Sequence, residues 1–304
     1  MGSHALKSIP VSIESRNRNL SGAALLSGSV ALMALQDALI KLMSTALPLG
    51  QIFLLRSMLV LPLLVLVARA NAKDLRAALR PAPMLRGLCL TLMYLSLYSV
   101  LQVLPLATLA AGFYTGPLFI TLLAALVLKE PVGIRSWTAV GIGFAGVLVL
   151  LRPGSGSFAA AALVPVLSGF CYAVAAILAR SRCRTDAPVS LALALNLNLL
   201  IAGALMLGAG TLGPKMNPLP GWTEMSAVDW QLVAMLAVLM VGIGMGLAAA
   251  YQHAEPSVVA SFDYSYLIFA SLLGYYLFAE TPDMPTFAGM GLIASAGLLS
   301  IAKT

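Results

Sequence analysis

Ten apolar runs follow one another from residue 20 to residue 302, and no other feature limits the fold of this chain so tightly. They lie near 20–43, 48–68, 84–104, 106–128, 134–152, 158–180, 187–209, 228–250, 257–278 and 284–302. A helix needs about 20 apolar residues to cross the hydrocarbon core of a bilayer. A backbone in lipid must satisfy its own hydrogen bonds, so runs of this length read as transmembrane helices. Composition agrees. The chain is 60% hydrophobic and 10% charged, where a soluble domain carries about 25% charged residues. The predicted class is an all-α polytopic membrane protein with ten transmembrane helices.

Connections between runs are short. Runs 3 and 4 are divided only by Leu104-Pro105-Leu106, where proline ends one helix and opens the next. The one long connection, 210–227, carries Pro214, Pro218, Pro220 and Trp222 and suits a membrane interface. The net charge of +7 falls in short clusters between the runs and not on one amphipathic face, which argues against nucleic acid as a partner. Lys7, Arg16, Arg18, Arg69, Lys73, Arg76, Arg80, Arg86, Lys129, Arg135, Arg180, Arg182, Arg184 and Lys303 fall on one side, against Lys41, Arg152 and Lys215 on the other. The bias places both termini in the cytoplasm and the protein in the cell's inner (plasma) membrane. Residues 1–18 form a cytoplasmic tail, whose opening Met-Gly-Ser-His reads as an appended tag, so His4 is set aside. Cys89, Cys171 and Cys183 fit neither a zinc site nor a disulfide framework and read as small buried hydrophobes.

The chain repeats internally. Shifted by 150 residues, 105–152 lies on 255–302 without a gap. Ala110 meets Ala260, Tyr114 meets Tyr264, Phe119 meets Phe269, Leu122-Leu123 meets Leu272-Leu273, Glu130 meets Glu280 and Gly141 meets Gly291. The halves are 19–153 and 154–304, with five helices each. An odd count inverts the second half, which puts Glu130 at the inner face and Glu280 at the outer. Inverted repeats are a common architecture of alternating-access transporters, with the solute bound near the midplane.

Residues 85–154 combine an Arg-Gly start, an aromatic third helix, Leu-Pro-Leu-Ala, Pro117 within the fourth helix, Glu130 at its end and a glycine-rich fifth helix. Phe53 and Arg56 add an aromatic-x-x-Arg in the second. This ordered set resembles the drug/metabolite transporter superfamily, specifically its EamA-type ten-helix members, and looks most like YddG-type amino-acid exporters. The second half departs from the pattern: Asn196 lies opposite Arg56, and Leu267 replaces the counterpart of Pro117. The resemblance implies a central cavity lined by helices 1, 3, 4, 6, 8 and 9, with 5 and 10 peripheral. It also implies export of amino acids, aromatic or otherwise neutral.

Ionisable residues inside spans are functional candidates, because a charge at the bilayer centre costs about 2.5–3.5 kcal/mol on insertion scales. Asp37 and Lys41 lie one turn apart on the first helix and share a face. Arg56 stands at nearly the same depth on the second, so Asp37–Arg56 is an expected interhelical ion pair, either structural or a gate near the outer end. Lys41 can also snorkel to the outer interface. Asp263, in Ser-Phe-Asp-Tyr-Ser-Tyr, has no basic residue within a turn and suits proton coupling or an ammonium ligand. Tyr94 and Tyr98 share a face of the third helix and offer flat apolar surface with a hydroxyl. Tyr114, Tyr264, Tyr172 and Gln36 are further substrate-binding candidates. Asn196, Asn198 and Gln252 read as interhelical hydrogen-bonding groups.

Gly141, Gly143 and Gly146 spell GxGxxG, but inside a span and with no preceding strand the motif cannot open a dinucleotide fold. Gly242, Gly244 and Gly246 are either packing residues or flexible points of the eighth helix. No HExxH and no Walker motif occur, so metal chemistry and ATP-driven transport are not expected. The expectation is a secondary exporter that works as a monomer by alternating access, with no cofactor and no metal. The alternatives are export of other metabolites or cationic drugs, a membrane-embedded enzyme, or a channel.

Overall fold

A computed structural model of the chain describes residues 13–67, 69–129, 133–151, 160–210, 221–253 and 262–301. Glu130, Pro214, Pro218 and Pro220 lie outside the described residues. The helices are α1 (Ile13–Met43), α2 (Leu49–Val67), α3 (Ala72–Ala78), α4 (Pro81–Ser99), α5 (Leu106–Phe113), α6 (Gly116–Val127), α7 (Ile134–Leu151), α8 (Leu163–Arg182), α9 (Pro188–Gly210), α10 (Ala227–His253), α11 (Ser265–Phe278) and α12 (Met284–Ile301). No strand occurs among the described residues. Six helical segments are long and apolar enough to cross a membrane: Leu20–Met43, Leu49–Val67, Leu106–Val127, Ala160–Arg182, Pro188–Gly210 and Ala227–Leu247. Ser136–Leu151, Ser265–Phe278 and Met284–Leu299 are shorter apolar helices, and α4, which carries Arg86, spans 19 residues.

Local chemistry explains the boundaries. Asn71 caps α3 by accepting from the N–H groups of Lys73 and Asp74, while Asp74 reaches back to the Asn71 N–H in a capping box. Pro81 opens α4, where its missing N–H costs nothing. The fourth apolar run is not one helix. It breaks at Tyr114 and Thr115, between α5 and α6, because Pro117 has no N–H to give the carbonyl of Phe113.

The outer surface is apolar and the interior holds the polar groups, the inverse of a soluble protein. Leu66, Leu205 and Ile268 are 72%, 69% and 61% exposed, whereas Arg56, Gln51, Ser57 and Thr115 are wholly buried. Lipid, not water, fits the surface of such a body.

The packing has a regular plan. Helix α1 packs on α10 as α8 packs on α4; α4 packs on α9 as α10 packs on α2; α1 packs on α11 as α8 packs on α5 and α6. The α2–α9, α7–α12 and α5–α11 pairs complete it. Exchanging the helices of residues 13–151 with those of 160–301 leaves these pairings in place. Two of the self-matched pairs need glycine. A Cβ on Gly203 of α9 would lie 2.6 Å from the Gly50 carbonyl of α2. One on Gly146 of α7 would lie 3.0 Å from the Gly289 carbonyl of α12. A Cβ on Gly143 would instead meet the side chain of Leu118 on α6. The GxGxxG glycines that have close neighbours are thus packing residues.

Candidate functional site

A central cavity of about 500 Å³ lies between the middle of the helices and the end that carries the basic connections. Met33 and Gln36 come from α1, Arg86, Leu90, Met93 and Tyr94 from α4, and Phe113 from α5. Tyr114, Pro117 and Ile120 come from the break and α6, Tyr172 from α8, and Met240, Ile243, Gly244 and Leu247 from α10. Asp263, Tyr264 and Gly297 close the ring. A larger cavity, of about 740 Å³, runs along the outer faces of α11 and α12. Its wall is almost wholly apolar and includes the exposed Ile268, Leu272 and Tyr275, a lining that suits acyl chains.

Two chain breaks meet at the central cavity. Tyr114 ends α5, and Tyr264, its counterpart at a shift of 150, sits in the turn before α11. The second break needs no proline. The Leu267 N–H bonds to the Tyr264 carbonyl at 3.1 Å, a tightened turn. The Asp263 carbonyl accepts the Tyr114 hydroxyl at 3.0 Å. Leu267 marks a departure of the second half in sequence, yet the turn forms without its proline because a side chain from the first half takes up that carbonyl. The Tyr114 and Tyr264 rings lie 5.3 Å apart, and Tyr114 stacks on Tyr266 at 5.4 Å.

Tyr264 is held by an absence. A Cβ at Gly297 of α12 would occupy the position of the Tyr264 phenol. Gly297→Ala is therefore expected to drive Tyr264 out of the cavity wall. The overpacking costs about 1–3 kcal/mol, which thermal melting would register, and Tyr264→Ala in the same chain should recover the loss. A variant that melts like the parent would refute this packing.

Toward the opposite end two sets of polar contacts close the bundle. In the deeper set, Tyr98 donates to Asp37 Oδ1 at 2.7 Å and Tyr266 donates to Asp37 Oδ2. In the outer one, Lys41 Nζ reaches Glu280 Oε1 at 2.6 Å and the Leu104 carbonyl at 2.7 Å. Glu280 Oε2 accepts the Leu106 N–H at 2.8 Å. Gln102 adds bonds to the Lys41 carbonyl and Ser44 at 2.6 and 2.7 Å. Each set joins helices of the first half to α11 or its C-terminal end.

The expected Asp37–Arg56 ion pair is not formed. Both oxygens of Asp37 are taken by tyrosine hydroxyls, and Arg56 opposes its charge across a longer gap. Arg56 is fully buried with its three nitrogens unpartnered, and its Cζ lies 5.4 Å from the Phe53 ring centre and 5.8 Å from that of Tyr94. It is held by ring faces, as cation–π contacts allow. The cause lies in helix packing. Although a short turn joins α1 to α2, α1 packs chiefly on α10 and α11, and α2 on α9 and α10. Lys41 is buried and pairs with Glu280; it neither pairs with Asp37 nor snorkels outward.

Of the other expected site residues, Gln36, Tyr94, Tyr114, Tyr172, Asp263 and Tyr264 line the cavity. Tyr98 does not; it is buried against Asp37 and stacks on Phe53 at 5.8 Å. Helix α10 runs unbroken through Gly242, Gly244 and Gly246. Gly244 lines the cavity and Gly246 abuts Ser29 of α1. Asn196 bonds to the Ala192 carbonyl at 2.9 Å, and Asn198 ties α9 to α4 through the Met84 carbonyl at 3.3 Å. The three cysteines are free, and no group of three or more metal-ligating side chains occurs among the described residues. Sequence reasoning counts Arg86 as a topological charge because it stands near the end of an apolar run. Its side chain lines the cavity, with Nε buried and unpartnered. Gly297, on a helix expected to be peripheral, lines it too.

The EamA-like transporter family matches residues 20–152 and, a second time, 159–302. This chain belongs to the EamA-like transporter family. Among its relatives, a riboflavin transporter of Rhizobium johnstonii is 31% identical over 200 residues, 65% of this chain and 62% of that protein. The match thus spans less than two thirds of the relative's length. An S-adenosylmethionine uptake transporter of Rickettsia prowazekii is 24% identical, covering 82% of this chain and 80% of the relative. A pseudopaline exporter of Pseudomonas aeruginosa is 24% identical, covering 89% and 92%. A solved crystal structure, 18% identical, superposes with a TM-score of 0.62 over 92% of this chain and 97% of that one, a likeness of fold.

Proposed function

We propose that this EamA-type protein is a secondary transporter of the inner membrane that exports small amphipathic metabolites, amino acids foremost, as a monomer and by alternating access. The carrying observation is a tyrosine-lined cavity sealed toward one end by polar contacts that cross between the halves. In this reading ten spans form two inverted five-helix repeats with both termini at the basic, cytoplasmic end. Support comes from the double family match and from pairings that survive exchange of the halves. The cavity lies on the cytoplasmic side of the seal, so this state loads from inside. Export then requires the Asp37 and Lys41 contacts to part while the cytoplasmic side closes over the solute. Tyr94, Tyr114, Tyr172 and Tyr264 receive the flat part of the solute, and Gln36 a polar group.

Relatives named for riboflavin and S-adenosylmethionine favour a second reading, a larger ring-bearing solute in the same tyrosine walls. The test is counterflow in liposomes holding the purified protein and preloaded with unlabelled amino acids, with riboflavin and S-adenosylmethionine in parallel. Saturable, trans-accelerated uptake of neutral amino acids is expected. Saturable uptake of riboflavin alone would replace the amino-acid assignment, and flux that never saturates would replace the carrier with a channel.

A further inference from the structure

We propose that Arg86 and Asp263 form a two-point charge reader that selects zwitterions, with Arg86 taking a carboxylate and Asp263 an ammonium group. The inference rests on the transporter reading above and adds the substrate's charge pattern to it. The two residues line the same cavity. They come from opposite halves, Arg86 from α4 and Asp263 from the helical residues just before the Tyr264 turn. They do not pair with each other: the ion pairs among the described residues are Lys41–Glu280 and Arg80–Asp186. Arg86 Nε is buried without a partner, so the guanidinium holds donor capacity in reserve. Its planar fork matches the two oxygens of a carboxylate. The rings of Tyr94, Tyr114 and Tyr264 line the same space.

The energetics follow from the low local dielectric. Among the described residues the wall carries one positive and one negative group, neutral overall, and neither has a close counter-charge. A zwitterion satisfies both at once. An amine without a carboxylate leaves Arg86 unanswered, and an acid without an ammonium group leaves Asp263 so. Loss of one charged hydrogen-bonding contact is expected to weaken binding about 10-fold to 100-fold.

Counterflow by the full chain in liposomes tests this with four probes: L-tryptophan, tryptamine, indole-3-propionate and riboflavin. Tryptophan is expected to compete at least about 10-fold better than tryptamine or indole-3-propionate. Arg86→Gln should erase the discrimination against tryptamine alone, and Asp263→Asn that against indole-3-propionate alone. Arg86→Lys and Asp263→Glu should retain most of the preference. Equal competition by the three indoles in the parent protein overturns the proposal. So does either neutralising variant keeping both preferences. The ranking of probes in the parent decides the matter even if a substituted chain fails to fold. Saturable riboflavin exchange with no indole competing overturns the charge reader and leaves a carrier. Absence of saturable exchange for every probe removes the transporter reading as well.

Discussion

Lys41→Met is expected to be among the costliest single substitutions of a span residue at the sealed end, and to abolish exchange. Lys41 and Glu280 side chains are 8% and 15% exposed, so water does little for either charge. Removing the lysine leaves Glu280 with only the Leu106 N–H, and also strips the Leu104 carbonyl of its donor. Breaking one side of a buried pair costs about 3–5 kcal/mol, whereas replacing both partners by apolar groups is often neutral. Glu280→Met should therefore be nearly as damaging, and the double variant Lys41→Met with Glu280→Met should recover most of the melting temperature. Transport should not recover with it, because the pair joins the first half to the C-terminal end of α11 and an apolar replacement cannot make and break the same contact. Thermal melting of the singles and the double, read as a cycle, measures this coupling. Singles that cost under about 1 kcal/mol and simply add would mean that the pair behaves as a surface salt bridge.

A second large effect is expected at Asp37, and its test lies in an ordering. Asp37→Ala leaves the hydroxyls of Tyr98 and Tyr266 without their acceptor and takes from the buried Arg56 the anion that faces it. The loss is about 3–5 kcal/mol, as for any stranded buried charge. Arg56→Met removes a guanidinium that makes no hydrogen bond and leaves Asp37 with both tyrosine donors. Its expected cost is about 1–2 kcal/mol. Had the two formed a direct ion pair, the two losses would be alike. A melting comparison in which Arg56→Met equals or exceeds Asp37→Ala would restore the direct pair and reject the tyrosine cradle. Tyr266→Phe should fall between the parent and Asp37→Ala, since it removes one of two donors.

Much of the cavity lining is legible in the amino-acid sequence. Tyr114 and Tyr264 are matched by the 150-residue shift and meet across the cavity. Asp263 stands out as a carboxylate in an apolar run without a nearby cation. Gln36, Tyr94 and Tyr172 also face the cavity. Arg86 is easily misread, because charge near the end of a run serves topology as readily as chemistry, and sequence position alone does not separate the two. Glu280 is visible as the repeat mate of Glu130, but its partnership with Lys41 joins residues 239 positions apart. Tyr98 shares a helix face with Tyr94, which suggests a cavity residue. A face is wide enough to hold one ring in the cavity and the next, one turn away, against Asp37.

The sequence by itself determined the solvent of this chain, the helical form that solvent imposes and the two-part repeat. Each is written locally, in run length and in residues that recur. Only the tertiary structure decided which charges meet. In lipid a helix is apolar on nearly every side, so periodicity does not say which side turns inward. The rotation of each helix is set by close approach at Gly203, Gly146 and Gly297, and by the few polar groups that must find partners. That rotation turned Asp37 to two tyrosines, Lys41 to Glu280, and Arg86 into the cavity.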